Sequence, residues 1–354
     1  MPIPTEPIGS IPRPPELLAA MKAHAARQIS DEQLHAAEES ALRDTINRLE
    51  ATGSPVITDG EQTKPSFATY PLTGLENLAG DGVTIPFADG HIRQLPRLTR
   101  GPFRYGVHAV SYLQAAQRNA HRPVKQAVIS ASALSLLYPQ SGLNGYPRDA
   151  FLADLIQDAE RDIRECLDAN AACVQIDFTE GRLALKLDPS GGLLNTFIDL
   201  NNRVLDRFSN VERQKIGVHT CPGGDHDSTH SADVDYTALL PALFRLKVAR
   251  FHVQLASEPD RRRVLTTIRN LLKPGQLLFV GVTDPINPRV ESPEEVRDRV
   301  LEAAALIPIE LLGTTDDCGF SPFADDTSTS RDTAFAKIRN RVEGTAMAGK
   351  VLGI

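Results

Sequence analysis

Eight short apolar or β-branched runs recur along the chain, and most are separated by stretches with helical spacing; no other feature restricts the fold so strongly. The runs are Pro7–Ile11, Pro55–Asp59, Lys125–Ser130, Cys173–Asp177, Lys215–Thr220, Arg250–Leu255, Leu277–Thr283 and Glu310–Thr315. Strand-sized runs alternating with helices describe βα units around a parallel sheet, and eight of them fit an α/β (β/α)8 TIM barrel better than a doubly wound sheet. Helical periodicity is clear in Arg148–Ala169, through Phe151, Leu155, Ile156, Ile163 and Leu167, and in Asp31–Glu50, which Gly53 closes. Ser292-Pro293-Glu294-Glu295 opens another helix, with a capping serine, proline at the first position and acids in the first turn.

From about residue 64 to residue 121 the alternation stops, and Gly, Pro and single apolar residues take over. Val83–Ala88 and His91–Leu95 flank Asp89-Gly90, a two-residue hairpin signal. An insertion after the second strand is therefore expected, a hairpin with loops covering the barrel mouth. No internal repeat or linker divides the 354 residues, so the chain reads as one domain.

A net charge of -7 argues against a nucleic-acid partner, which would call for a basic patch. The N-terminus lacks the basic start and apolar run of a signal peptide, and no apolar window reaches the roughly 20 residues of a membrane span. A cytoplasmic protein without a membrane partner is the expectation. Four cysteines are too few and too scattered for a disulfide framework, and Cys166 and Cys173 read as inert buried thiols.

In a barrel of this kind the chemistry sits where the strands end, and here each run ends in polar or ligand-type residues. In chain order these are Ser10, Asp59-Gly60-Glu61, Ser130-Ala131-Ser132, Asp177 with Glu180, His219 with Cys221, Gln254, Thr283-Asp284, and Asp316-Asp317-Cys318. Side chains two apart on a strand point the same way, so His219 and Cys221 face one side. With Cys318 they make a nitrogen and two thiolates from distant strands, a ligand set suited to zinc. The loop after Cys221 holds Asp225 and His226, candidates for substrate contact or a fourth zinc ligand. His252 reads as a packing histidine, and Arg261-Arg262-Arg263 and Asp325-Asp326 as solvated surface.

These pieces resemble the cobalamin-independent methionine synthase family, specifically its C-terminal catalytic barrel and single-barrel relatives. Ile8-Gly9-Ser10, Asp59-Gly60-Glu61, Gln175-Ile176-Asp177, His219-x-Cys221, Asp284 with Pro288-Arg289-Val290, and Asp317-Cys318-Gly319 follow the family's order across nearly the whole chain. The resemblance implies methyl transfer to homocysteine, giving methionine, with zinc on His219, Cys221 and Cys318. It also implies that Ser10, Glu61 and Asp177 hold the amino-acid end of the thiol, with Asp177 and Asp284 the candidate catalytic acids. Two positions depart from the family: Gln254 stands where it has a glutamate ligand, which leaves the fourth place to water, a loop residue or the substrate's sulfur, and Ile286 where it has a histidine. On the second ground a methylcorrinoid protein is expected as methyl donor ahead of methyl-folate. The alternative is addition of a zinc-bound thiolate to an epoxide, as in the epoxyalkane:coenzyme M transferases. Arg182 or Lys186 would then anchor the sulfonate.

Overall fold

The computed structural model describes residues 2–354. The third to eighth expected strands form one parallel sheet in chain order: Gln126–Ile129, Val174–Asp177, Ile216–Thr220, Arg250–Val253, Leu277–Thr283 and Leu312–Asp316. Their residues are almost uniformly buried, as a sheet covered on both faces requires. Register sets Asp177 beside His219, and His219 beside His252.

Single bridges continue the sheet at both edges, Thr5 with Thr314 and Ile57 with Val124, both parallel. Ile11 N donates to Gly60 O at 2.9 Å and Thr58 Oγ1 to Gly9 O at 2.8 Å, so hydrogen bonds run round all eight positions of a (β/α)8 barrel. Pro7–Ile11 and Pro55–Asp59 are accordingly bridged extended segments, not the strands expected. Pro4, Pro7, Pro12 and Pro55 have no N–H to give, and a ladder cannot propagate through them.

Helices fill the connections. Asp31–Ala51 starts in a capping box of Ser30 and Gln33, and Pro293–Ala304 in one of Ser292 and Glu295. Arg148–Asp168 buries Phe151, Leu155, Ile156 and Ile163 against the barrel.

The insertion after the second position carries the hairpin Thr84–Pro86 with Ile92–Gln94. Its loop has three residues, Ala88-Asp89-Gly90, closed by Phe87 N donating to His91 O at 2.9 Å. A two-residue type I′ turn needs positive φ at both central positions, and only Gly90 (φ 93°) adopts it, which corrects the expected turn. Ala88 N reaches Thr229 O at 3.0 Å and docks the hairpin on the loop after the fifth strand. Among the described residues no helix is long and apolar enough to cross a membrane.

Candidate metal centre and substrate cavity

His219 lies near the end of the fifth strand, Cys221 just beyond it, and Cys318 just past the eighth. Their ligand atoms all lie within 4.8 Å of one another, and the two sulfurs are 3.1 Å apart. His219 is 2% exposed, yet neither ring nitrogen has a hydrogen-bond partner. A buried imidazole left without partners is costly unless something else binds it, and one nitrogen with two sulfurs suits a thiophilic cation. The Cys318 thiol is pushed well up by its hydrogen bond with Cys221 and then by burial; a bound cation would reverse that balance.

Asp317 fixes the strand end beside Cys318. Its carboxylate accepts from the backbone N–H groups of Leu255, Ala256 and Ser257 at 2.7–2.8 Å and from the Ser257 hydroxyl. Burial, then the charge of Asp284, pushes Asp317 up to about 7. Asp284 does not line the cavity. Its Oδ1 accepts from Ile286 N at 3.0 Å, burial raises its carboxyl, and the buried Lys337 donates to its carbonyl at 2.9 Å.

The structure does not bring Gln254, or the loop candidates Asp225 and His226, to the triad. Gln254 spends its amide on Ser257 Oγ at 2.7 Å and Glu258 Oε1 at 3.0 Å, and its oxygen faces Arg182 at 3.4 Å. Asp225 and His226 group instead with Asp326, and Asp225 is gripped by Arg93 at 2.5 and 3.1 Å and by His91 at 3.1 Å. The reason is local: Gly223, His226 and Asp227 have positive φ, and Gly224–Asp225 pairs with Ser228–Thr229, so the loop folds back towards the inserted hairpin.

A cavity of about 360 Å³ opens beside the triad, with His219 and Cys318 on its wall. Ser10, Glu61 and Asp177 line it as well, and Ile85, Phe87 and Arg93 of the hairpin reach it from the insertion. Ser10 Oγ accepts from Ser321 N at 3.1 Å. Asp177 Oδ1 accepts from Gln175 Nε2 at 2.8 Å, and burial raises its carboxyl against the pull of His219. Gly60 and Glu61 both take left-handed φ, 63° and 54°, in the turn that carries the Glu61 carboxyl to the cavity. Glu61 Oε1 accepts from Lys64 Nζ at 3.1 Å. Burial drives Glu61 up, Lys64 draws it down, and Asp59 and Asp177 push it up again, to about 7.

Two lining residues have no assignment from the sequence. Glu180 accepts from the hydroxyls of Ser130 and Ser132 through Oε1 while Oε2 has no partner, and burial raises it to about 7. Its place among the strand-end residues was visible, its carboxyl's direction was not. His230 sits with Nδ1 2.8 Å from Ser231 Oγ, whose own proton goes to Pro222 O at 3.0 Å. The ring therefore donates from Nδ1, and Nε2 stands over Gly223, where a Cβ would lie 1.7 Å from it. Burial, then Lys186 and Arg182, lower His230 to about 4, so it is neutral. A loop of this length gives no signal of where its ninth residue will lie.

Arg182 and Lys186 are both engaged. Arg182 donates to Glu258 at 2.8 Å and to the carbonyls of Ala232 and Val234, Lys186 to His230 O at 2.9 Å and Asp233 at 3.0 Å.

Residues 3–346 match the family described as cobalamin-independent synthase, catalytic domain. A methionine synthase of Sulfurisphaera tokodaii is 22% identical over 99% of this chain and 94% of its own length, and that of Sulfolobus acidocaldarius 24% over 99% and 93%. The 5-methyltetrahydropteroyltriglutamate–homocysteine methyltransferase of Catharanthus roseus is 22% identical over 99% of this chain but only 43% of its own length. In three dimensions the chain is similar to a B12-independent methionine synthase from Shewanella sp. W3-18-1 in complex with selenomethionine, with a TM-score of 0.76, 18% identity and full coverage of both chains. The chain belongs to the cobalamin-independent methionine synthase family.

Proposed function

We propose that this member of the methionine synthase family, a methyltransferase family, acts in the cytoplasm as a single catalytic domain that methylates the sulfur of homocysteine with zinc on His219, Cys221 and Cys318. The observation that carries it is the meeting, beside one cavity, of a buried imidazole without hydrogen-bond partners and two cysteine sulfurs, with an acidic wall of Glu61 and Asp177. Bound there, zinc would lower the pKa of the substrate thiol and favour the nucleophilic thiolate.

The chain's own residues supply position. Glu61 and Asp177 receive the ammonium group of the amino acid, and Ser10 stands on the same wall. Asp317 ties the end of the sixth strand to the Cys318 turn, and Asp284, whose charge lies next to Asp317, acts through that turn. A relative of the same fold was solved in complex with selenomethionine, an amino acid carrying an alkylated chalcogen, which supports an amino-acid thiol as the substrate.

For the donor we favour methyl-folate, since relatives named for their donor use 5-methyltetrahydropteroyltriglutamate. A methylcorrinoid protein, expected from Ile286, has no comparable support. The epoxide alternative is weakened by Arg182 and Lys186, both tied to protein acceptors. The test is turnover by zinc-loaded protein of homocysteine and coenzyme M against methyl-folate, methylcobalamin and a short epoxide. Methionine formed from homocysteine and methyl-folate is expected. Turnover of coenzyme M with the epoxide alone would overturn the proposal.

A further inference from the structure

Lys64 is completely buried, and its ammonium donates to Glu61 Oε1 at 3.1 Å and to Ala127 O at 3.0 Å. The rings of Tyr70 and Tyr112 lie 5.0 and 5.6 Å from Nζ, within the range at which an aromatic face attracts a cation. Glu61 lines the cavity, and Oε1 is the oxygen that Lys64 takes, so Oε2 is left for a ligand. We infer that Lys64 is a positioning residue that holds Glu61 as an aimed carboxylate and so gives the site its selectivity for a thiol bearing an ammonium group. This rests on the amino-thiol substrate proposed above.

The charged groups facing Glu61 come from several elements. Asp59 lies on its own segment and accepts from Glu61 N at 3.0 Å; Asp177 ends the fourth strand; Arg13 donates to the carbonyls of Glu61 and Lys64, each at 2.7 Å. Asp162, on the helix Arg148–Asp168, also feels the charge of Lys64. Three carboxyls, Asp59, Glu61 and Asp177, thus share one ammonium. Burial opposes charge on Lys64, but Glu61, Asp59 and Asp177 together hold it protonated. With Lys64 in place Glu61 releases its proton at about pH 7; with Lys64 removed, burial and mutual repulsion remain, and Glu61 keeps its proton to higher pH. A neutral carboxyl then faces the substrate ammonium and the charge-assisted bond is lost.

A lysine that served the fold alone would support every thiol equally. The test therefore compares homocysteine with its desamino analogue, 4-mercaptobutyrate, on zinc-loaded protein. Lys64→Gln is expected to raise KM for homocysteine by about tenfold to a hundredfold, the range for a lost hydrogen bond to a charged group, without raising that for the analogue. It should also move the acidic limb of kcat/KM for homocysteine to higher pH, and Lys64→Arg should recover most of the discrimination. Equal losses for both thiols, or an unmoved limb, overturn the inference. Should Lys64→Gln not fold, Glu61→Gln is compared with Glu61→Gln/Lys64→Met, which removes both charges together. Equal discrimination by the two is expected, and a further loss in the double variant overturns the inference. If the methyl-transfer proposal itself fails, the result is different in kind, because the unmutated protein then turns over neither thiol.

Discussion

Glu6 and Glu61 are both buried carboxyls on the first two segments of the barrel, and they sit in opposite electrical surroundings. Glu6, near where the strands begin, accepts from Arg250 at 2.8 Å and meets His252 at 3.2 Å and Lys125 at 3.5 Å. Burial works against its charge, but the His252 hydrogen bond and the charges of Lys125, His252 and Arg250 win, and Glu6 falls to about 2. Glu61, where the strands end, has one ammonium and two further carboxyls around it and rises to about 7. Equal burial therefore gives a closed ionic staple in one place and a carboxyl poised to exchange its proton in the other. What differs is the ratio of cations to anions, and only the second arrangement leaves an oxygen for a ligand.

The largest effect should come from the metal end. Cys318→Ser replaces a thiolate with a poor zinc ligand, and it is expected to abolish activity and most bound zinc, read by metal analysis beside the turnover assay. Full zinc content in an active Cys318→Ser protein would remove the triad from the mechanism. Next in size is Glu6→Gln, which leaves Lys125 and Arg250 without their counter-charge. Breaking one side of a buried ion pair costs about 3–5 kcal/mol, so urea unfolding should show a loss of that order, whereas zinc content in the folded protein stays. A stability change below about 1 kcal/mol, the value of an exposed pair, would mean that the staple is solvated and the contrast with Glu61 is false.

Periodicity exposed most of the architecture because strands buried on both faces must be apolar throughout, and six of the eight runs carry ladders within a residue or two of their expected bounds. The first two escaped because proline removes donors without removing burial. The grouping of His219, Cys221 and Cys318 was legible because His219 and Cys221 share a strand-end face and strand order brings Cys318 to them. Where Asp225 and His226 lie was not legible, because consecutive left-handed residues reverse the loop, and no periodicity reports that. Lys64 was unreadable for another reason. A lysine in a polar loop looks solvated, and only the packed rings of Tyr70 and Tyr112 show that it is inside.

The smallest effect separates the two carboxyls by pH alone. Folded Glu61 keeps its proton up to about pH 7, whereas the unfolded chain releases it near 4.5. Its contribution to stability is therefore fully present below 4.5 and lost as pH rises through 7. Glu6, depressed from 4.5 to about 2, contributes stability present above 4.5 and lost as pH falls through 2. His252, lowered from 6.5 to about 3, likewise loses stability as pH falls below 6.5, and so opposes Glu61 in the window they share. Glu61→Gln should remove one proton's linkage between pH 4.5 and 7, about 1.4 kcal/mol per pH unit at its steepest. Glu6→Gln should shift the whole curve there and change its slope only at lower pH. Urea midpoints measured across that window decide the matter: curves for Glu61→Gln and the unmutated protein that run parallel would place Glu61 among the fully ionised carboxylates beside Glu6, and the electrical contrast between the two would be false.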